Sequence, residues 1–188
     1  GEQIDRLVSE GLWPDWTRVK EGFQSAFFRE FARSFLTVTV QRLLDIVLVN
    51  KLAPEMADMF MRNLKLAAKA EYADSGSRIE AAIEIAKLAA ATYAVSQAAT
   101  LITNQGFAIL DVLAGAWSST VGFMDYCKSK VVDFFHQTGA NIRYSVLTYL
   151  AFVAGAASGT VLYPGIGTVI GPNVAAIVMD ASIMASTF

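Results

Sequence analysis

The longest uninterrupted apolar pattern in the chain lies towards its C-terminal end. Between Arg143 and Asp180 there are 36 consecutive residues without a charge. A membrane-spanning helix needs about 20 residues, so one straight helix of this length would overshoot the bilayer. The pattern is broken in the middle by Pro164, which fixes φ, and by Gly165, which accepts a left-handed turn. We therefore predict a transmembrane helical hairpin over residues 144–185.

Small residues recur at four-residue spacing on both arms of this hairpin, which meet at a turn over residues 163–167. They are Gly155 and Gly159 on the first arm, and Gly167 and Gly171 on the second. Because lipid supplies no hydrophobic force between helices, their association depends on close backbone approach and on hydroxyl hydrogen bonds. The spacing predicts that the arms pack through these four glycines.

The segment LYPGIGTVIG, residues 162–171, resembles the helical hairpin of the diphtheria toxin translocation domain. It is also similar to glycine-zipper segments of bacterial membrane-active toxins. The resemblance implies membrane insertion, since turns rich in Gly and Pro arise repeatedly in membrane hairpins. A match of about ten residues does not imply common descent. The chain also departs from the toxin pattern, because the preceding helices are aromatic and apolar where a water-soluble toxin carries a charged outer shell.

Aromatic residues recur about every four positions between residues 11 and 35, with charged residues between them, which is typical of an amphipathic helix. Trp13 and Trp16 stand at its start and favour a location at the membrane interface over an ordinary protein core. The apolar stretch 35–52 follows. Two charged residues interrupt it, so we interpret it as a buried helix and not as a span exposed to lipid.

A polar break at residues 74–77 separates the N-terminal helices, residues 1–74, from a set of central helices over residues 77–143. Within the central set, residues 88–110 carry no charge and are long enough to cross a hydrocarbon core about 30 Å thick. Seven Ser, Thr, Asn and Gln residues in that stretch are costly in lipid unless they face neighbouring helices. We predict a single all-α unit, residues 1–188, with 88–110 as a possible additional span.

Composition points to lipid as the surrounding medium. Apolar residues make up 54% of the 188 residues, charged residues 17%, and the mean hydropathy is +0.43. A soluble domain carries about 25% charged residues. The formal net charge of −2 leaves no surplus of positive charge for nucleic acid, so nucleic-acid binding is not expected.

Catalytic chemistry has few candidate residues in this chain. Cys127 is the sole cysteine and His136 the sole histidine, and their spacing of nine puts them on different faces of one helix. One cysteine and one histidine cannot form a disulfide or a zinc-binding motif, and this spacing does not pair a nucleophile with a base. We therefore predict no catalytic residue and no metal site. His136 has an alternative role as a ligand to haem or chlorophyll. No cofactor is predicted, and binding of lipid or pigment stays open.

The pattern favours a non-enzymatic integral membrane protein, an accessory or structural subunit of a larger organellar complex. Its partners would be the bilayer and other membrane subunits. The absence of an initiator Met and the small size favour the mitochondrial inner membrane or the thylakoid. The alternative is a pore-forming or translocation-type toxin domain that is soluble first and inserts its C-terminal hairpin later. Solubility without detergent distinguishes the two.

Overall fold

A computed structural model of the chain describes residues 16–118 and 122–185, and in this part of the chain every regular element is a helix. The predicted all-α class is confirmed. The helices are α1 Trp16–Lys51, α2 Pro54–Met61, α3 Leu64–Ser75, α4 Arg78–Ser118, α5 Phe123–Leu162 and α6 Ile166–Ala185.

Local sequence explains where the short helices begin and end. Pro54 stands in the first turn of α2, where its missing N–H has no partner to lose. The Asn63 side chain caps α3 by accepting from two backbone N–H groups, at 3.1 and 3.2 Å. Gly76, with φ of +66°, ends that helix in the left-handed conformation. One residue later Ser77 accepts from the Glu80 N–H at 3.4 Å and starts α4.

Helices α4 and α5 run antiparallel. Near one end of the pair the rings of Tyr93 and Phe152 lie 5.1 Å apart. Towards the other end the Thr138 hydroxyl donates to the Gln105 side-chain oxygen at 3.1 Å. With 41 and 40 residues, each helix is about 60 Å long, whereas α6, with 20 residues, is about 30 Å long.

The buried apolar positions are occupied mainly by alanine. Ten of the thirteen buried apolar residues are Ala among those whose burial the structure describes. The central cluster is Ala67, Ala68, Ile85, Leu88, Ala89 and Ala156. Small side chains let the helices approach closely, and the large apolar side chains are left on the outside.

Contacts divide the chain into two units, Gly1–Leu36 and Thr37–Phe188. In the first unit the rings of Phe23, Phe27 and Phe31 stack in a row along α1, with centroids 6.0 and 6.3 Å apart. Each ring is more than half exposed. Trp13 lies outside the described residues, as does the side chain of Trp16, so their interfacial position stays a prediction.

The stretch 35–52, which we interpreted as a buried helix, is helical up to Lys51, but the structure differs in its burial. Leu43 and Ile46 are each 57% exposed, and no residue in this stretch is buried within the described part of the chain. The sequence pattern reports how apolar a segment is and does not identify what covers it.

The alanine core makes a direct prediction about packing on α4. Ala99 is fully buried and its neighbour Ala98 is exposed on the same helix. Ala99→Leu should lower the free energy of unfolding by about 1–3 kcal/mol, because the added carbons force closely packed helices apart. The measurement is unfolding in detergent micelles. Ala98→Leu is the matched control, and equal effects of the two changes would contradict the packing described.

Candidate functional site: a glycine-faced helical hairpin

The chain reverses direction between α5 and α6 at Pro164 and Gly165. Gly165 has φ of +95°, a conformation that residues with a Cβ rarely adopt. It is also buried, although it lies in a turn. The Gly167 N–H donates to the Tyr163 carbonyl at 2.9 Å and so joins the turn to the start of α6. The two helices leave this turn antiparallel.

The two helices touch through their backbones at the four glycines. A Cβ built on Gly155 would lie 2.5 Å from the carbonyl oxygen of Gly171 and 2.8 Å from the Cα of Pro172. A Cβ on Gly159 would overlap the carbonyl of Gly167, and one on Gly167 would overlap the carbonyl of Gly159. These neighbours are backbone atoms, which cannot rotate away. Any side chain here must therefore move a helix.

A buried pair of threonine hydroxyls joins the helices next to the glycines. Thr160 Oγ1 and Thr168 Oγ1 lie 2.7 Å apart, and both residues are fully buried. The Thr160 hydroxyl donates to the Ala156 carbonyl at 2.7 Å, so Thr168 supplies the proton shared by the pair. Thr168 in turn accepts from the Gly165 N–H at 3.2 Å. The chain of bonds runs from the turn into α5 and leaves neither hydroxyl without a partner.

The open end of the hairpin is joined by a second polar contact. The Tyr144 hydroxyl donates to the Asp180 carboxylate at 3.1 Å. These residues stand at the two ends of the charge-free segment. The hairpin is therefore fastened by hydrogen bonds at both ends and by glycine contacts between them.

Helix α6 continues through Pro172, which cannot donate to the helix. Asn173 adds a side-chain bond in the same turn, its Nδ2 donating to the Val169 carbonyl at 2.9 Å. The proline Cα lies against Gly155 on α5.

Two basic side chains from outside the hairpin contact its turn. The aliphatic part of Lys69, on α3, covers Gly165: a Cβ built there would lie 2.8 Å from Lys69 Cε and 2.9 Å from Cγ. Arg78, at the start of α4, donates from Nη1 to the Leu162 carbonyl at 3.4 Å. Sequence reasoning missed both residues. Arg78 and Leu162 are 84 positions apart, and no local pattern signals such a contact.

The structure places Cys127 and His136 in different grooves. Cys127 lines an apolar groove of about 320 Å³ between α4 and α5. His136 is exposed and lies in another groove with Phe135 and Arg143. A haem ligand usually sits in an enclosed apolar pocket, which this position does not provide. In the described ranges no three His, Cys, Asp or Glu side chains could hold a metal ion together. That the chain has no catalytic residue stays a prediction.

Comparison with family models, with curated proteins and with solved structures finds no match for this chain. Within the described residues, α4, α5 and α6 are long and apolar enough to cross a membrane. The hairpin is formed by two of these three helices.

The glycine contacts make the first prediction for this site. Gly159→Ala should destabilise the chain by about 1–3 kcal/mol, because the new methyl group meets the Gly167 backbone. Gly139 lies in the same helix, and a Cβ there has nothing within 4 Å. Gly139→Ala should be neutral or stabilising by up to about 1 kcal/mol, since Gly is a poor helix former. Thermal unfolding in detergent compares the two variants. A neutral Gly159→Ala would show that the arms do not touch there.

The hydroxyl pair makes the second prediction. Thr168→Val keeps the shape of the side chain but leaves the buried Gly165 N–H without its acceptor, which should cost about 1–3 kcal/mol. Ser182 is the control, because its hydroxyl donates to the Val178 carbonyl of its own helix, at 2.7 Å. Ser182→Ala should change the unfolding free energy by less than about 0.5 kcal/mol. If both variants unfold alike, the threonine pair does not stabilise the turn.

Proposed function

We propose that this chain is a non-enzymatic integral membrane protein that serves as a structural or accessory subunit of a larger membrane complex. Its hairpin, α5 from residue 144 onward together with α6, would be embedded in the bilayer. Helices α2 and α3 would be joined to it through their contacts with α4, which packs against α5.

The observation that supports this proposal is a distribution of small and large apolar side chains that is opposite to that of a water-soluble protein. The interior of the second unit is mainly alanine, while large apolar side chains point outward. On α6, Ile177 is 68% exposed and Val178 is 59% exposed. A water-soluble protein of this size buries such residues, whereas a membrane protein packs its small residues together and presents the large ones to lipid.

Charge placement along α5 agrees with a bilayer around the arms of the hairpin. Several ion pairs outside it join neighbouring turns of one helix, such as Lys130 with Asp133 at 2.8 Å. Exposed pairs of this kind contribute little to stability. On α5 they lie before residue 144, in the part of the helix that would be in contact with water. The arms of the hairpin carry no charge between Arg143 and Asp180. Water and lipid therefore meet different parts of α5.

The subunit role rests on apolar surface that lipid alone does not explain. Phe35 and Ile46 on α1 are more than half exposed, on a helix that also carries ionised residues. Side chains of both kinds are accommodated together where one helix contacts lipid on one side and other protein on the other. A larger assembly would supply that second surface. The mitochondrial or thylakoid location stays a prediction.

The alternative is a toxin-type domain that is soluble first and inserts its hairpin later. Such a domain must shield the hairpin from water before insertion. Only 11% of the apolar window of α6 is buried within this chain. This exposure favours a hairpin that is permanently in lipid.

Insertion can be tested with cysteine labelling of the full chain in lipid vesicles, after Cys127→Ser removes the native thiol. The thiol introduced by Ile177→Cys should resist a membrane-impermeant maleimide until detergent dissolves the vesicles, because lipid surrounds it. The control is Lys128→Cys, in the charged part of α5. Its thiol should react without detergent, provided that the maleimide is present on both sides of the vesicle membrane. Equal reactivity of the two thiols would contradict insertion.

The subunit role needs a separate measurement. Extraction in mild detergent should yield an assembly larger than the monomer, as judged by size-exclusion chromatography with light scattering. A chain that stays monomeric and soluble without detergent would support the toxin-type alternative instead.

A further inference from the structure

We propose that the turn of the hairpin is a binding site for an anionic phospholipid, with Lys69 and Arg78 holding the lipid phosphate. The inference rests on the proposed membrane insertion of the hairpin. It adds a lipid class and two binding residues that insertion by itself does not require.

Three groups on two helices, α3 and α4, bring positive charge to one turn. The Lys69 stem lies over Gly165, and the Arg78 guanidinium is bonded to the Leu162 carbonyl. Arg78 is also the first residue of α4, whose N-terminal backbone N–H groups add partial positive charge. Both side chains are exposed, so their charged groups can reach a ligand while their stems stay on the turn.

Neither of these two cations is paired with a carboxylate within the described residues. Within the described residues, the recorded ion pairs join other basic residues, Arg33, Arg42, Arg62, Lys87, Lys128 and Lys130, to acids three or four positions away. Neither Lys69 nor Arg78 has such a partner in that part of the chain. Arg78 makes one bond to an uncharged carbonyl and retains further N–H donors in its planar fork. An oxyanion fits that geometry.

The turn of the inserted hairpin would lie at the depth of the lipid phosphates. The uncharged first arm, residues 144–162, is 19 residues long, close to what a hydrocarbon core requires, so the turn lies where headgroups begin. Lysine and arginine at that level place their stems against apolar surface and their charges among headgroups. A lipid phosphate would therefore lie beside both side chains.

An apolar groove of about 550 Å³ begins at the same turn. It runs along the arms from Leu162, Tyr163 and Ile166 towards Val174. Leu162 is shared between the two features, since its carbonyl accepts from Arg78 and its residue lines the groove. One lipid could place its phosphate at the cations and an acyl chain in this groove. This argues for a lipid over free phosphate.

The test uses the full chain in neutral detergent micelles, titrated with phosphatidylglycerol, with phosphatidylcholine or with inorganic phosphate. Binding to the native fold raises the unfolding temperature. Phosphatidylglycerol should raise it and the other two should not. Lys69→Gln combined with Arg78→Gln should weaken the apparent affinity for phosphatidylglycerol roughly 30-fold, since each basic residue near a lipid surface contributes about 1 kcal/mol.

The charge-matched control is Lys128→Gln combined with Lys130→Gln, at the far end of α5, which should keep the wild-type response. Equal loss in both double variants would show a general charge effect and overturn the site. A shift with phosphatidylcholine or with inorganic phosphate as large as that with phosphatidylglycerol would overturn the lipid assignment. Should the first double variant fail to fold, Lys69→Gln alone must still weaken binding several-fold. Insertion is judged separately by the maleimide experiment, so either proposal can fail without the other.

Discussion

The hairpin depends on two backbones in direct contact, which only residues without a side chain permit. Gly155 meets Gly171, and Gly159 meets Gly167. These contacts fix one antiparallel register, and in that register Thr160 faces Thr168 near the turn and Tyr144 faces Asp180 at the open end. The polar bonds follow from the glycine contacts, because hydroxyl groups a few ångströms further apart would not reach each other. In lipid such short-range contacts replace the hydrophobic force that joins helices in water.

The rest of the second unit follows the same rule with alanine in place of glycine. The buried cluster of Ala67, Ala68, Ala89 and Ala156 contains just two larger aliphatic residues, Ile85 and Leu88. Burying alanine removes little apolar surface from water, so this interior contributes less hydrophobic stabilisation than a core of Leu, Ile and Phe. Close packing and hydrogen bonds must supply more of the stability, and these interactions are effective where lipid excludes water.

The sequence predicted the helical class and the apolar segment from residue 144, because a long charge-free segment has few alternatives, and it offered residues 88–110 as a possible further span. It placed a boundary at residue 144, where charges end, but α5 runs from Phe123 to Leu162 without a break. A change in charge does not end a helix, and no Pro or helix-ending turn stands near 144 to do so. The contacts of Lys69 and Arg78 with the turn were beyond prediction, since they depend on how α3 and α4 pack. The transmembrane position of the hairpin and the role of Trp13 and Trp16 stay predictions.

Helices α5 and α6 differ in length, and this difference determines how much of α5 is covered by α6. Helix α6 is about half as long as α5, so it can accompany α5 only from about residue 144 to the turn. Before that point α5 pairs with the second half of α4, where Thr138 meets Gln105. Leu110 on α4 and Val132 and Phe135 on α5 are each more than half exposed in this region. Two helices alone cannot enclose side chains of this size, because a pair buries just one stripe of each. Among the described residues of the second unit, no third helix packs along this half of the pair. In the subunit role that we propose, a helix from another subunit would take the place there that α6 takes at the other end.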